Sequence, residues 1–176
     1  MVKVEVEQIV LNLATRSPVV ILRSKTGEVL PIVIGFFEAQ SILVFLEKAE
    51  FPRPLTHDLI RRLLEEFGCK MLRLEVHTLK ENVYYADIVL ETKGEIRKLD
   101  CRPSDGIAVA LRFNSAIFAS EDLMEPPDAI RYYEGKKFIR SNELNKPIDA
   151  KEAAEFRRVM EQLSSQEFWR KLKEED

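Results

Sequence analysis

The sequence predicts an α+β domain: mixed or antiparallel sheet with packed helices, arranged as two duplicated βββα units and followed by C-terminal helices. Three observations predict it. Short segments alternate apolar and polar residues with the strand period of two, and glycine-bearing turns separate them. Other stretches carry apolar residues at helical spacing. Finally, Lys25-Thr26-Gly27-Glu28-Val29 resembles Thr92-Lys93-Gly94-Glu95-Ile96, 67 positions further on. Carried along the chain, that offset lays Leu22 on Val89, Ile32 on Leu99, Glu38 on Asp105, Ile42 on Val109 and Val44 on Leu111. Each copy places a carboxylate in the first turn of its helix. The alternative is coincidence, since a hairpin needs glycine at its turn in any case.

The elements follow in order. Residues 3–13 read as a strand, with Val4, Val6, Ile9, Leu11 and Leu13 on or near one side. Pro18 to Leu22 is a short buried strand, Ser24 to Gly27 a turn, and Val29 to Ile34 the next strand. Gly35 opens a helix through about Ala49, with Ala39, Ile42, Leu43 and Leu46 at helical spacing. Phe51-Pro52-Arg53-Pro54 cannot be helical, because each proline lacks a donor and forces its predecessor into an extended conformation. Thr56 is the expected N-cap of a second helix. Ile60, Leu63, Leu64 and Phe67 are its expected apolar stripe, and Gly68 its stop.

Leu72, Leu74 and Val76 alternate with Arg73, Glu75 and His77, which predicts a strand with one wet face. Tyr85 to Leu90 and Glu95 to Leu99 are the next strands, joined by a turn at Thr92 to Gly94. After Arg102-Pro103, Ser104 is the expected cap of a third helix bearing Ile107, Ala110 and Leu111. Ile117-Phe118 reads as a last short strand. Residues 1–130 are thus the expected α+β domain and 131–148 a loop-rich connector. Residues 149–176 are an amphipathic helical tail anchored by Phe156, Met160, Leu163 and Phe168.

The 176 residues suffice for one domain with a real core. Hydrophobic residues make up 45%, which argues against disorder. The charged fraction, 32%, is above average, and few Asn and Gln accompany it, a balance that leans towards a thermophile source. Net charge is −3, so any nucleic-acid contact must come from a local basic cluster rather than a global field. Cys69 and Cys101 fit no zinc spacing and no CxxC pair, and read as buried thiols in a reducing compartment. No apolar run is long enough for a membrane span, and the start is no signal peptide, so the cytoplasm is the expected location.

Two loops concentrate the chemistry. In Phe51 to Asp58, Arg53 is held between prolines and could grip a phosphate. His57 and Asp58 sit in a helix's first turn, where a neutral imidazole is a candidate general base. The plain alternative is that Thr56 caps, Asp58 complements the helix dipole, and His57 is a surface residue. In Asp100 to Asp105, Arg102 stands beside another helix N-terminus, a geometry that binds phosphate. The alternative is that Arg102 pairs with Asp100 or Asp105. A carboxylate site acting on phosphodiesters needs a divalent metal, or arginines that take up the developing charge. No HxH or DxD spacing marks a metal site. His77 is a further candidate on its strand's wet face.

Taken together, Pro18 to Leu22, Leu30 to Gly35 with Glu38, Phe51 to Asp58, His77 and Arg102-Pro103-Ser104-Asp105 resemble the bifunctional nuclease domain family. The resemblance covers roughly residues 3–170, and includes the segment from Glu155 to Phe168. It implies an α+β fold and DNase and RNase activity. Gly106 stands where the family pattern often has Ala, and Cys101 where small or polar residues also occur. The expected function is therefore hydrolysis of phosphodiester bonds in DNA or RNA with low sequence specificity. The alternative is a non-catalytic module that binds a protein partner or a small anion in the same cleft. The candidate catalytic residues are Glu38, His57, Asp58 and Asp105. Arg53, Thr56, Arg102 and Ser104 are the candidate phosphate-binding residues. A divalent metal such as magnesium is the candidate cofactor, with Glu38, Asp58, Asp100 and Asp105 as candidate ligands. Nucleic acid and a second copy of the chain, in a homodimer, are the expected partners, with no membrane.

Overall fold

The computed structural model describes residues 1–12, 17–49, 51–129 and the backbone of 137–140. Three strands come first: β1 (Val2–Leu11), β2 (Pro18–Ser24) and β3 (Val29–Val33). Helices α1 (Phe36–Leu46) and α2 (Thr56–Glu66) follow. Three more strands, β4 (Cys69–Lys80), β5 (Val83–Thr92) and β6 (Glu95–Cys101), lead into helix α3 (Pro103–Phe113). Strand β7 (Ala116–Ala119), a 3-10 turn (Glu121–Leu123) and strand β8 (Lys137–Arg140) complete the described elements. The expected C-terminal helical tail lies outside the described residues, as does the expected connector apart from β8.

All the described strands join one mixed sheet in the order β3-β2-β1-β7-β4-β5-β6, with β8 also on β1. Strand β1 pairs with β7 through Val2 to Val4 and with β8 through Gln8 to Val10. Among the described strands, the single parallel pairing is β4 with β7; every other is antiparallel. The hairpins follow from their turn residues. Glu81 and Asn82 both have positive φ (52° and 61°), as do Lys93 and Gly94 (51° and 79°). Two successive positive φ values define the tight turn whose twist matches that of its strands.

Helix α3 packs against α1 and α2 and lies on β4 and β5. Nearly all of it is buried, from Pro103 and Ser104 through Ala110 to Arg112. A helix apolar nearly all round has to be central. Ile42, Ile107, Leu74 and Leu22 are among the fully buried side chains. Each such burial contributes about 1.5–3 kcal/mol. Val10, Val19, Ile21, Val29 and Ala129 form a separate buried cluster.

The α+β expectation holds, and several details change. Thr56 and Ser104 are not the caps. The N-cap of α2 is Leu55 and that of α3 is Arg102, neither with a side-chain cap. In α3, Pro103 takes the first helical position and leaves Arg102 extended. In α2, the Asp58 carboxylate reaches back and accepts from the Leu55 N–H at 2.9 Å. The α2 stripe is not buried either: Leu63 is 47% and Phe67 73% exposed, and His57 is the helix's one buried residue. In β4 the inward residues are Met71, Leu74 and Val76 rather than Leu72, Leu74 and Val76. A bulge between Met71 and Arg73 shifts the phase by one residue. Strand β7 is not the last, because β8 follows it.

Gly106 is explained by packing. A Cβ there would lie 2.4 Å from Leu74 Cδ1 and 2.9 Å from Cys101 Sγ. With Cys101 and Leu74 filling that space, the helix approaches β4 closely only through glycine.

Candidate functional site

The site is assembled by the N-terminal turns of α1, α2 and α3. Glu38 is in the first turn of α1, His57 in that of α2, and Asp105 in that of α3. Arg102, the extended residue before Pro103, ties two of them together. Its Nε donates to Asp105 Oδ2 at 2.7 Å, and its Nη2 lies 2.7 Å from Glu38 Oε1. Its pairing with Asp105, and then with Glu38, raises its pKa further. The other Asp105 oxygen, Oδ1, lies 3.2 Å from His57 Nε2. On the far side of the ring, Nδ1 is 2.8 Å from Ser41 Oγ.

This gives a continuous chain of polar contacts: Ser41, His57, Asp105, Arg102, Glu38. An ionised carboxylate only accepts, so His57 Nε2 carries the hydrogen. In the neutral ring Nδ1 then accepts the Ser41 hydroxyl proton. Access differs along the chain. Ser41 and His57 are buried, whereas the Arg102 side chain is 69% exposed and that of Asp105 29%. Solvent therefore meets the guanidinium and the carboxylate first. The guanidinium has five N–H donors, and two contacts leave the others for a further anion.

Asp58 is drawn elsewhere. Its Oδ1 lies 2.5 Å from Arg112 Nε, and the Arg112 side chain is only 2% exposed. Arg112 also donates to the carbonyls of Ala108 (2.9 Å) and Ser41 (3.3 Å) and stacks over Phe45 at 5.6 Å. Desolvation pushes the Asp58 pKa up, but bonds from Arg112 and Leu55 and the charges of Arg112 and Arg62 outweigh it, so it lies below the ordinary value. Arg53 is exposed on a groove between the end of α1 and the start of α2, not beside Arg102. Thr56 is exposed, and Ser104 is buried.

Asp100 stands exposed on β6 and shares no ion pair with the cluster. His77 belongs to another network on β4–β6, 3.5 Å from Asp87, beside the Glu75–Lys98 pair. Cys101 is held inert: burial first, then the charges of Asp105 and Asp100, pushes its pKa up to about 12. Among the described residues, no three His, Cys, Asp or Glu side chains group to hold a metal. A guanidinium already joins Glu38 to Asp105, so the pair as arranged does not fit a resident divalent cation.

Sequence reasoning missed Ser41 and Arg112. Helical spacing carries a signal for both. Ser41 is one turn after Glu38 on α1, and Arg112 is two turns after Asp105 on α3.

The fold and site thus define a class: an α+β domain whose helix N-termini converge on an arginine-bridged pair of carboxylates. The bifunctional nuclease domain family matches residues 20–129, and the chain belongs to that family. Two uncharacterized proteins, from two strains of Mycobacterium tuberculosis, are each 39% identical to it over 108 residues. The match covers 61% of this chain and 64% of each relative, so the chain spans somewhat under two thirds of their length. Among the described residues, no helix is long and apolar enough to cross a membrane.

Proposed function

We propose that the protein is a nuclease that hydrolyses phosphodiester bonds of DNA or RNA with low sequence specificity. One observation carries the reading: Glu38, His57, Arg102 and Asp105 meet in one cluster, with the Arg102 guanidinium outermost. Arg102 would hold a non-bridging phosphate oxygen with its remaining donors. Asp105 would take the proton of the attacking water as the new P–O bond forms. The leaving oxygen breaks from phosphorus and is protonated from solvent. His57 would hold Asp105 in place through Nε2, with Ser41 fixing the ring. Glu38 would keep Arg102 extended across the site. A carboxylate whose two oxygens are already engaged by Arg102 and His57 is a poor base, so a modest rate fits this arrangement. Asp58, through Arg112, would support the ring's surroundings rather than touch substrate.

The test is cleavage of single-stranded DNA, RNA and duplex by purified protein, with and without magnesium. Asp105→Asn and His57→Ala should abolish it. Activity that survives both changes, or separates from the protein on purification, sinks the reading.

A second reading is favoured by one specific feature: both ring nitrogens of buried His57 are already engaged. On it, Arg102 binds a small anion without hydrolysis. Thermal stabilisation by phosphate or nucleotides with no cleavage selects that reading. The homodimer reading is supported by the exposed edge strand β6, where Ile96 is 66% and Leu99 54% exposed. Light scattering after gel filtration tests it. A cytoplasmic location is supported by free Cys69 and Cys101, and alkylation of both as free thiols in fresh lysate denatured in urea tests it.

A further inference from the structure

We propose that the groove between the end of α1 and the start of α2 is a subsite for one unpaired nucleotide of a nucleic-acid strand. This rests on the nucleic-acid part of the reading above and adds to it where the strand lies and that it is single. The groove has a volume of about 630 Å³, within the range of sites that take small molecules.

Its lining combines two chemistries. Lys48, Arg53, Arg61 and Arg62 are all exposed on it. Among the described residues, the one acid on the groove is Asp58, which is already matched by buried Arg112. Arg61 pairs with Glu65 at 3.1 Å. Lys48, Arg53 and Arg62 make no ion pair with any described residue. This is the local basic cluster that a chain of net charge −3 needs if it is to hold phosphates.

The second chemistry is aromatic. Phe51 is 51% and Phe45 37% exposed, and both line the groove. Arg112 backs the Phe45 ring. An exposed ring among cations offers a face to a base, and a base inside a duplex has no free face to give. Pro52 and Pro54 restrict the backbone of the Phe51–Arg53 segment, which bends at Pro52 and Arg53, so less ordering is required on binding. Phe45 lies two turns along α1 from Glu38, about 10 Å. One strand could therefore lie in the groove and pass the Glu38–Arg102–Asp105 cluster.

The experiment is fluorescence anisotropy in EDTA, with each probe run on a denaturing gel after the titration to show that it is intact. The probes are a labelled uridine decamer and a duplex of equal length, with adenosine monophosphate and a poly-glutamate peptide as competitors. The single strand should bind at least about 10-fold more tightly than the duplex, and Phe51→Ala should weaken it about 10-fold. Arg53→Ala with Arg62→Ala should reduce the slope of log affinity against log salt by about 1.4. All three residues are exposed, so unchanged circular dichroism and melting are expected of the variants. Adenosine monophosphate should compete, and the peptide should not. Equal affinity for the duplex, variants that bind as the native chain does, or equal competition by the peptide overturns the proposal. Binding as expected, without cleavage in magnesium, removes the nuclease reading and leaves the subsite. Cleavage that is unaffected in these variants does the reverse.

Discussion

Replacing Asp58 with asparagine should destabilise the protein far more than a surface carboxylate would suggest. The reason lies in its partner. The Arg112 side chain is 2% exposed and cannot shed its proton, so its charge has to be matched where it sits. Removing one partner of a buried ion pair costs about 3–5 kcal/mol. Here Asp58 is itself 37% exposed, and two backbone carbonyls still accept from Arg112. Both moderate the loss, which leaves about 2–3 kcal/mol. The reverse change is milder. In Arg112→Met the carboxylate left behind reaches water, and the loss is chiefly two bonds to carbonyls, about 1–2 kcal/mol. The double variant should be close to Arg112→Met alone, a coupling of about 2 kcal/mol. Urea unfolding at neutral pH, followed by circular dichroism, measures all three. An Asp58→Asn loss below about 1 kcal/mol, or additive single effects, would refute the argument.

Other expectations follow from the same geometry. Gly106→Ala should cost about 1–3 kcal/mol in urea unfolding, because its Cβ would overlap Leu74 and Cys101. Adding Cys101→Ala should return part of that loss, and no recovery at all would point away from the clash. At pH 8, Cys101 should resist iodoacetamide in the native protein and react in urea, as read by peptide mass spectrometry, since its thiol is pushed up to about 12. Acid should destabilise the fold through Asp58 and Glu75. For Glu75, desolvation raises the pKa, but Lys98 and Arg73 outweigh it and leave it lowered. Each folded pKa thus lies below its unfolded value, so the unfolded chain binds more protons in that window. Their stabilisation is full above about pH 4–4.5 and is lost as pH falls through the folded values. Glu75→Gln should flatten that limb of the pH–stability curve, and an unchanged limb would mean that the network contributes nothing.

The strand and helix sequence was legible because apolar period and turn chemistry are local. The bulge in β4 was not, because Met71 and Leu72 are equally apolar and only the pairing with β5 decides which turns inward. The cap residues were misplaced by one or two positions because Thr56 and Ser104 have cap chemistry, while Pro103 and the Asp58–Leu55 bond set the actual entry. The amphipathic pattern of α2 does not say which face is covered, and so Leu63 and Phe67 looked buried. At the site, the sequence supplied the residue types at both loops. It could not show that Asp58 turns to Arg112 while Asp105 turns to His57, a choice made by the packing of α3 between its two neighbours.

The internal repeat leads furthest from local reasoning. Helices α1 and α3 begin and end 67 positions apart, the offset read from the two glycine turns. Strands β1, β2 and β3 precede α1 in the same order as β4, β5 and β6 precede α3. The sheet order runs outward from β7 as β1-β2-β3 on one side and β4-β5-β6 on the other. Two contacts bear on the point because they join positions that correspond under the offset. Glu38 and Asp105 share Arg102, and Arg112 stacks over Phe45. Two like helices side by side, with equivalent turns level, would make such contacts. A chance likeness of two glycine turns does not predict such contacts, and we propose an internal duplication as their cause. On that reading, α2 would be an addition to the first unit alone, bringing His57 to an acidic pair common to both units. In a crystal structure, the backbones of residues 2–46 and 69–113 should superpose at the fixed offset. If the strands match only when gaps are introduced between them, the two units have separate origins and the pairing of Glu38 with Asp105 needs another cause.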